Sequence, residues 1–239
     1  ILVACHDNVR FGVPFARPSS WAALACAVNM STTTILIIRH GETDWNRRKI
    51  FRGAHDIPLN DNGRAQAGRL AGALPRPDAV YSSPLSRARE TAQLALTGQA
   101  VAIQSHPGLV DIDYGEWTGK EDEEVYRLWP DEHTAWGATP HLAAPVGGEP
   151  LGAVSERVLA SLHEVVDAHA GQIIAIFAHR VVNKLLVLGM LGLELNRFAY
   201  IRQDNCCISE FHKADDGYVV VRLNDTAHMR DTDILTVDF

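Results

Sequence analysis

Two short apolar runs break off abruptly at a histidine. Thr34-Ile-Leu-Ile-Ile leads into Arg39-His40-Gly41, and Ile173–Ala178 leads into His179-Arg180. Runs of this length, rich in Ile and without polar alternation, suit strands covered on both faces, as in a parallel sheet between helices. Parallel strands need crossover connections, so these two runs alone commit much of the chain to an α/β arrangement. Open sheets of that kind bind ligands beyond the carboxyl ends of their strands. Both histidines fall there, which makes them candidates for a nucleophile or a ligand-holding group.

The intervening patterns supply the crossovers. Helices are expected over residues 63–74, with Asn60 or Asp61 as N-cap, and from Ser83-Pro84-Leu85 to about Leu96, with Ser83 as cap and Pro84 in the first turn. Others are expected over residues 121–128, 152–169 and 181–191, with Gly171 ending the fourth. Ala79–Ser82 and residues 101–104 read as further strands. Residues 205–212 and 217–223 read as a hairpin turning at Asp215-Asp216-Gly217. The fold predicted is a three-layer α/β/α sandwich with a mostly parallel central sheet and a C-terminal β-hairpin contributing an edge. Residues 1–29 read as a non-native or disordered extension ahead of Met30, with a secretory signal as the alternative. Residues 30–239 read as a single domain, with a lid or insertion at about 116–150.

Composition narrows the chemistry. A formal net charge of -7 argues against a general nucleic-acid binder, so any anion site must be a local basic pocket. No apolar run approaches the roughly 20 residues of a membrane span. The four cysteines give no disulfide framework, and adjacent Cys206 and Cys207 would face opposite ways on a strand. A reducing, cytoplasmic setting is expected. No Cys/His cluster has zinc-ligand spacing, so no metal and no cofactor are expected. A homodimer is left open.

If the sheet is parallel, the ends of three strands gather Arg39, His40, Arg87 and His179 around one point. Helix N-termini after Ser83 and His179 would add N–H donors and the positive end of the dipole. Such a site suits a dianionic phosphate, because a guanidinium fork matches phosphate oxygens.

The same residues resemble the histidine phosphatase (phosphoglycerate mutase-like) superfamily, phosphatase branch. The similarity runs in order through Arg39-His40-Gly41-Glu42-Thr43, Asp44-Trp45-Asn46, Phe51-Arg52-Gly53, Ser82–Ala92, residues 111–119, Gly147-Gly148-Glu149, His179 and Leu223–His228. The resemblance implies a metal-independent phosphatase acting on a small phosphorylated metabolite. His40 would become transiently phosphorylated, and Arg39, Arg87 and His179 would hold the phosphoryl oxygens. Asp111 stands where the family usually has a Glu proton donor, with Asp113 and Glu116 as competitors. Asn46, Arg52, Gly53 and Arg180 are the expected substrate-binding residues; Arg52 and Arg180 would favour a substrate with a second anionic group. Trp129, Trp136 and His141 would either wall the leaving-group pocket or pack the lid. Phosphoglycerate mutase-type phosphotransfer and a catalytically weak binding or scaffold domain are the alternatives.

Overall fold

The computed structural model describes residues 32–230, all within one compact unit. The extension expected over residues 1–29 lies outside the described residues. The order is β1 (Thr34–Arg39), α1 (Asp44–Arg47), α2 (Asp61–Leu70), β2 (Ala79–Ser82), α3 (Ser86–Ala95), β3 (Ile103–Ser105), α4 (Asp122–Leu128), α5 (Pro130–Ala138), α6 (Leu151–Ala168), β4 (Ile173–Ala178), α7 (Arg180–Met190), β5 (Ile208–Ala214) and β6 (Gly217–Asp225). The six strands form one sheet in the order β3-β2-β4-β1-β5-β6. β3, β2, β4 and β1 run parallel, and β5 and β6 add an antiparallel edge.

The absence of polar alternation in β1 and β4 has a direct cause. Ile35, Ile37, Ile174 and Ile176 pack on one side of the sheet, with Val154, Val158 and Leu162 of α6 and Leu185 and Leu186 of α7. Leu36, Ile38, Ala175 and Phe177 face the other side, with Ala67 and Leu70 of α2 and Ala92 and Ala95 of α3. Each fully buried aliphatic side chain of this kind stabilises the fold by about 1.5–3 kcal/mol. Both layers depend on the two central strands, so the carboxyl ends of β1 and β4 are held side by side, with Arg39 in register with Ala178.

Several local expectations are corrected. Ser83 does not cap α3; that helix starts at Ser86 after an extended Leu85, without a side-chain cap. The Ser83 hydroxyl is engaged elsewhere, as described below. Asn60, not Asp61, caps α2 by accepting from Gly63 N at 2.8 Å. The stretch after residue 128, where no helix was expected within the lid or insertion, holds α5. Pro130 opens it and Asp131 and Glu132 complement its dipole, but it buries no residue, so it left no apolar period to read. Cys206 and Cys207 lie in the approach to β5 rather than on a strand, and Cys206 has φ +53°. Among the described residues no helix is long and apolar enough to cross a membrane.

Candidate active site

The loop after β1 is fixed from every side. His40 N donates to Ala178 O at 3.0 Å, and His40 O accepts from Asn205 Nδ2 at 3.0 Å. Gly41 N donates to Thr91 Oγ1 at 3.0 Å, whose hydroxyl donates to Arg87 O at 2.7 Å. Glu42 N donates to Gln66 Oε1 at 2.8 Å. Gly41 and Gly63 meet backbone to backbone: a Cβ on Gly41 would strike Gly63 O, and one on Gly63 would strike Glu42 O. The requirement for glycine at position 41 is therefore close approach.

His40 is fully buried. Its Nδ1 lies 2.6 Å from Gly41 O. A carbonyl only accepts, so this contact places the proton on Nδ1 and leaves a lone pair on Nε2. His40 Nε2 is buried and has no hydrogen-bond partner. Burial, then the charges of Arg87, Arg39 and Arg52, hold the ring well below its ordinary pKa, so it is neutral and nucleophilic at pH 7.

His179, also fully buried, stands with its ring centroid 5.3 Å from that of His40. Its Nε2 lies 2.7 Å from Ser83 Oγ, and its Nδ1 lies 3.8 Å from Asp111 Oδ2. Burial and then Arg87 push its pKa well down too. Arg87, in the first turn of α3, is wholly buried; Nη1 donates to His55 O at 2.7 Å and Nη2 to Gly53 O at 2.8 Å. Arg87 Nη2 also reaches Asp111 Oδ2 at 3.3 Å. Arg39 Nη1 is anchored on Gln203 O at 2.7 Å. Arg39, His40, Arg87, His179 and Asp111 are thus brought to the carboxyl edge of the sheet. Asp113 and Glu116 are not; both are exposed, and Asp113 spends Oδ1 on Gly115 N at 2.8 Å.

Buried polar atoms are normally hydrogen-bonded, so those without partners point to a ligand. Besides His40 Nε2, they include His179 Nδ1 and Arg87 Nε. An accepting nitrogen, an imidazole and a guanidinium N–H lie together in a cationic, buried site. That combination fits one tetrahedral anion under attack. Among the described residues no group of three or more His, Cys, Asp or Glu side chains is arranged to hold a metal ion.

Beside this site opens a cavity of about 420 Å³ lined by cationic Lys49, Arg52 and Arg180, by Asp111 and Asp122, and by Tyr114 and Trp136 among others. Gly53 serves through its backbone: its carbonyl holds Arg87, its φ is +48°, and a Cβ there would press on Ile112 O at 2.6 Å. Asn46 is buried, and its Oδ1 accepts from Thr43 N at 3.0 Å in the capping box of α1. Trp136 both lines the cavity and packs edge-on against Tyr114 and Trp117. Trp129 and His141 do not line it.

Two contributions escape a reading of the sequence. Ser83, expected as a helix cap, bonds His179 instead. A donating Ser83 hydroxyl occupies His179 Nε2 and turns a protonated Nδ1 towards Asp111 and the site. Arg157 of α6 is the second. It donates to Gly108 O at 3.0 Å, Val110 O at 2.7 Å and Asp111 O at 3.2 Å, and pairs with Glu149 at 3.1 Å. Glu149 Oε2 in turn accepts from Asp113 N at 2.9 Å. This clamp fixes the backbone that carries Asp111. Gly147-Gly148-Glu149 was the visible half of the signal; nothing marked Arg157 as its partner.

The chain is similar to known proteins over most of its length. The family described as "Histidine phosphatase superfamily (branch 1)" matches residues 35–226. Phosphoserine phosphatase 1 of Hydrogenobacter thermophilus is 32% identical over 197 residues, covering 82% of this chain and 93% of that protein. A metal-independent phosphoserine phosphatase of Arabidopsis thaliana is 27% identical over 217 residues, covering 89% of this chain and 90% of its own. Among solved structures, Bacillus stearothermophilus YhfR superposes with a TM-score of 0.79 at 30% identity, over 82% of this chain and 99% of that one.

Proposed function

The chain belongs to branch 1 of the histidine phosphatase superfamily, and from that premise we propose that it hydrolyses a small phosphorylated metabolite through a phosphohistidine at His40, without a metal ion. The observation that carries this reading is the buried, unpartnered Nε2 of His40, set among Arg39, Arg87 and His179. Nε2 attacks phosphorus as the ester P–O bond breaks, and Asp111 gives its proton to the leaving oxygen. A water then attacks the phosphoryl group as Asp111 takes a proton from it; the P–N bond breaks and His40 is restored neutral. Arg39, Arg87 and His179 stabilise the equatorial oxygens in a loose transition state, a task preorganised donors perform without reorganisation. The similarity to the metal-independent Arabidopsis phosphoserine phosphatase supports metal independence, and both phosphoserine phosphatases support a small hydroxylated leaving group. A cytoplasmic setting is part of the same proposal. In this reading residues 116–150 act as the lid over the leaving group, through Asp122 and Trp136 at the cavity wall.

The test is phosphate release from a panel of metabolite monoesters, each run with and without chelator. Turnover that survives chelation supports the reading; turnover that stops with chelator and returns with a divalent ion refutes it.

A further inference from the structure

One lysine is placed where an ammonium is poorly served. Lys184 is a half-buried residue of α7. Its Nζ lies 4.6 Å from the centroid of the Phe198 ring and donates to Phe198 O at 3.3 Å, both in the helical turn Leu195–Tyr200. An ammonium has three donors. Among the described residues that carbonyl is the one oxygen Lys184 meets, and no carboxylate pairs with it.

The charges that act on Lys184 are both positive. Arg180 stands one helical turn back on the same face of α7, and Arg39 stands at the end of β1. Phe198 brings a ring and a carbonyl but no charge. Burial first, then Arg180 and Arg39, lower the amine to about 7. About half of Lys184 is then free amine at neutral pH, against less than about 0.1% of an ordinary lysine. A desolvated amine beside other cations is a nucleophile. The surroundings also select its electrophile. An acyl group would leave a neutral amide beside the guanidiniums and gain nothing from their charge. Carbon dioxide is small and uncharged, which suits entry beside the Phe198 ring, and its product is an anion.

We propose that Lys184 is a site of reversible carbamylation by carbon dioxide, with the carbamate held by Arg180. The Nζ lone pair forms the N–C bond, one C=O electron pair moves onto oxygen, and the displaced amine proton passes to solvent. Reversal returns carbon dioxide and the amine. The carbamate presents two oxygens in the geometry of a carboxylate, which a guanidinium fork matches. It also exchanges a positive charge for a negative one beside Arg180, which bonds the Tyr114 hydroxyl and lines the cavity. The modification thereby reaches the cavity through Arg180. Carbamylation at Lys184 is independent of the phosphatase reading above.

Trapping tests it. The full chain is equilibrated with carbon-13-labelled bicarbonate and dissolved carbon dioxide near neutral pH, alkylated with triethyloxonium, which fixes a carbamate as its ethyl ester, and mapped by peptide mass spectrometry. Lys120 and Lys213 serve as internal controls, since each also donates to a carbonyl at 2.7 Å and stands beside an aromatic ring. Lys184 is expected to carry at least about tenfold more label than either, as its larger share of free amine provides. Arg180→Gln is expected to lose most of that label and Arg180→Lys to retain part of it. Carbon-13 NMR of the untrapped protein should show a carbamate signal that Lys184→Arg removes, a readout that stands whether or not the Arg180 variants fold. No label on Lys184, label no greater than on the controls, an NMR signal that survives Lys184→Arg, or label undiminished in a folded Arg180→Gln overturns the proposal.

Discussion

Replacing Arg157 by Met removes a clamp that never touches the reacting atoms. The guanidinium holds the carbonyls of residues 108, 110 and 111 and a bidentate contact with Glu149. Three carbonyl contacts at about 0.5–1 kcal/mol each give about 2 kcal/mol of lost stability. The ion pair adds little, because its side chains are 23% and 32% exposed. For a domain of this size 2 kcal/mol lowers Tm by about 4–8 °C, readable by calorimetry. The catalytic consequence is separate. Asp111 holds Arg87 at 3.3 Å, with His179 Nδ1 at 3.8 Å, only while its backbone is fixed. A displacement on the order of 1 Å would lower proton transfer up to about 100-fold. A nitrophenolate leaves without protonation, whereas an alkoxide does not. Arg157→Met is therefore expected to lose about 10- to 100-fold in kcat on an alkyl phosphate and much less on p-nitrophenyl phosphate. Equal losses on both esters, or a lowered Tm with alkyl turnover intact, would refute a positioning role for the clamp.

Two further outcomes are expected. His40 and His179 are both held well below pKa 6.5 in the native state. As pH falls through about 6.5 the unfolded chain takes up protons that the folded one refuses, so stability is lost on acidification by up to about 1.4 kcal/mol per pH unit for each ring. Urea titrations between pH 7.5 and 5.5 should show this fall and a shallower one in His40→Asn; the same slope in both proteins would contradict it. Ser83→Ala frees His179 Nε2 and with it the tautomer, and is expected to lower kcat about fivefold, the equivalent of about 1 kcal/mol, with Ser83→Thr restoring most of it. Unchanged kcat in Ser83→Ala would remove Ser83 from the account.

The central sheet was legible because Ile35–Ile38 and Ile173–Ala178 are apolar on alternate faces, and two apolar faces imply two covering layers. The places of His40, His179 and Arg87 followed, since each stands at or just beyond a strand end in that arrangement. Asp111 was separable from Asp113 and Glu116 only by burial, which spacing in an irregular segment does not encode. Arg157 was invisible for another reason. Its partners are main-chain carbonyls 46 to 49 residues away, and a carbonyl carries no side-chain identity to read. Ser83 misled because its sequence context fits a helix cap; its hydroxyl accepts from Leu85 N at 3.3 Å, ahead of the helix itself, and also meets His179, 96 residues on, at 2.7 Å. Helix α5 buries nothing, so it lacked the period by which helices are read.

The direct test of the account is capture of the intermediate. Wild-type protein mixed with a labelled phosphomonoester, quenched in alkali within the first turnover and mapped by mass spectrometry, should carry one phosphoryl group on a nitrogen of His40. That group should be acid-labile, and His40→Ala should carry none. A first turnover that releases phosphate with His40 unlabelled, or a label on another residue that persists in His40→Ala, would contradict the account.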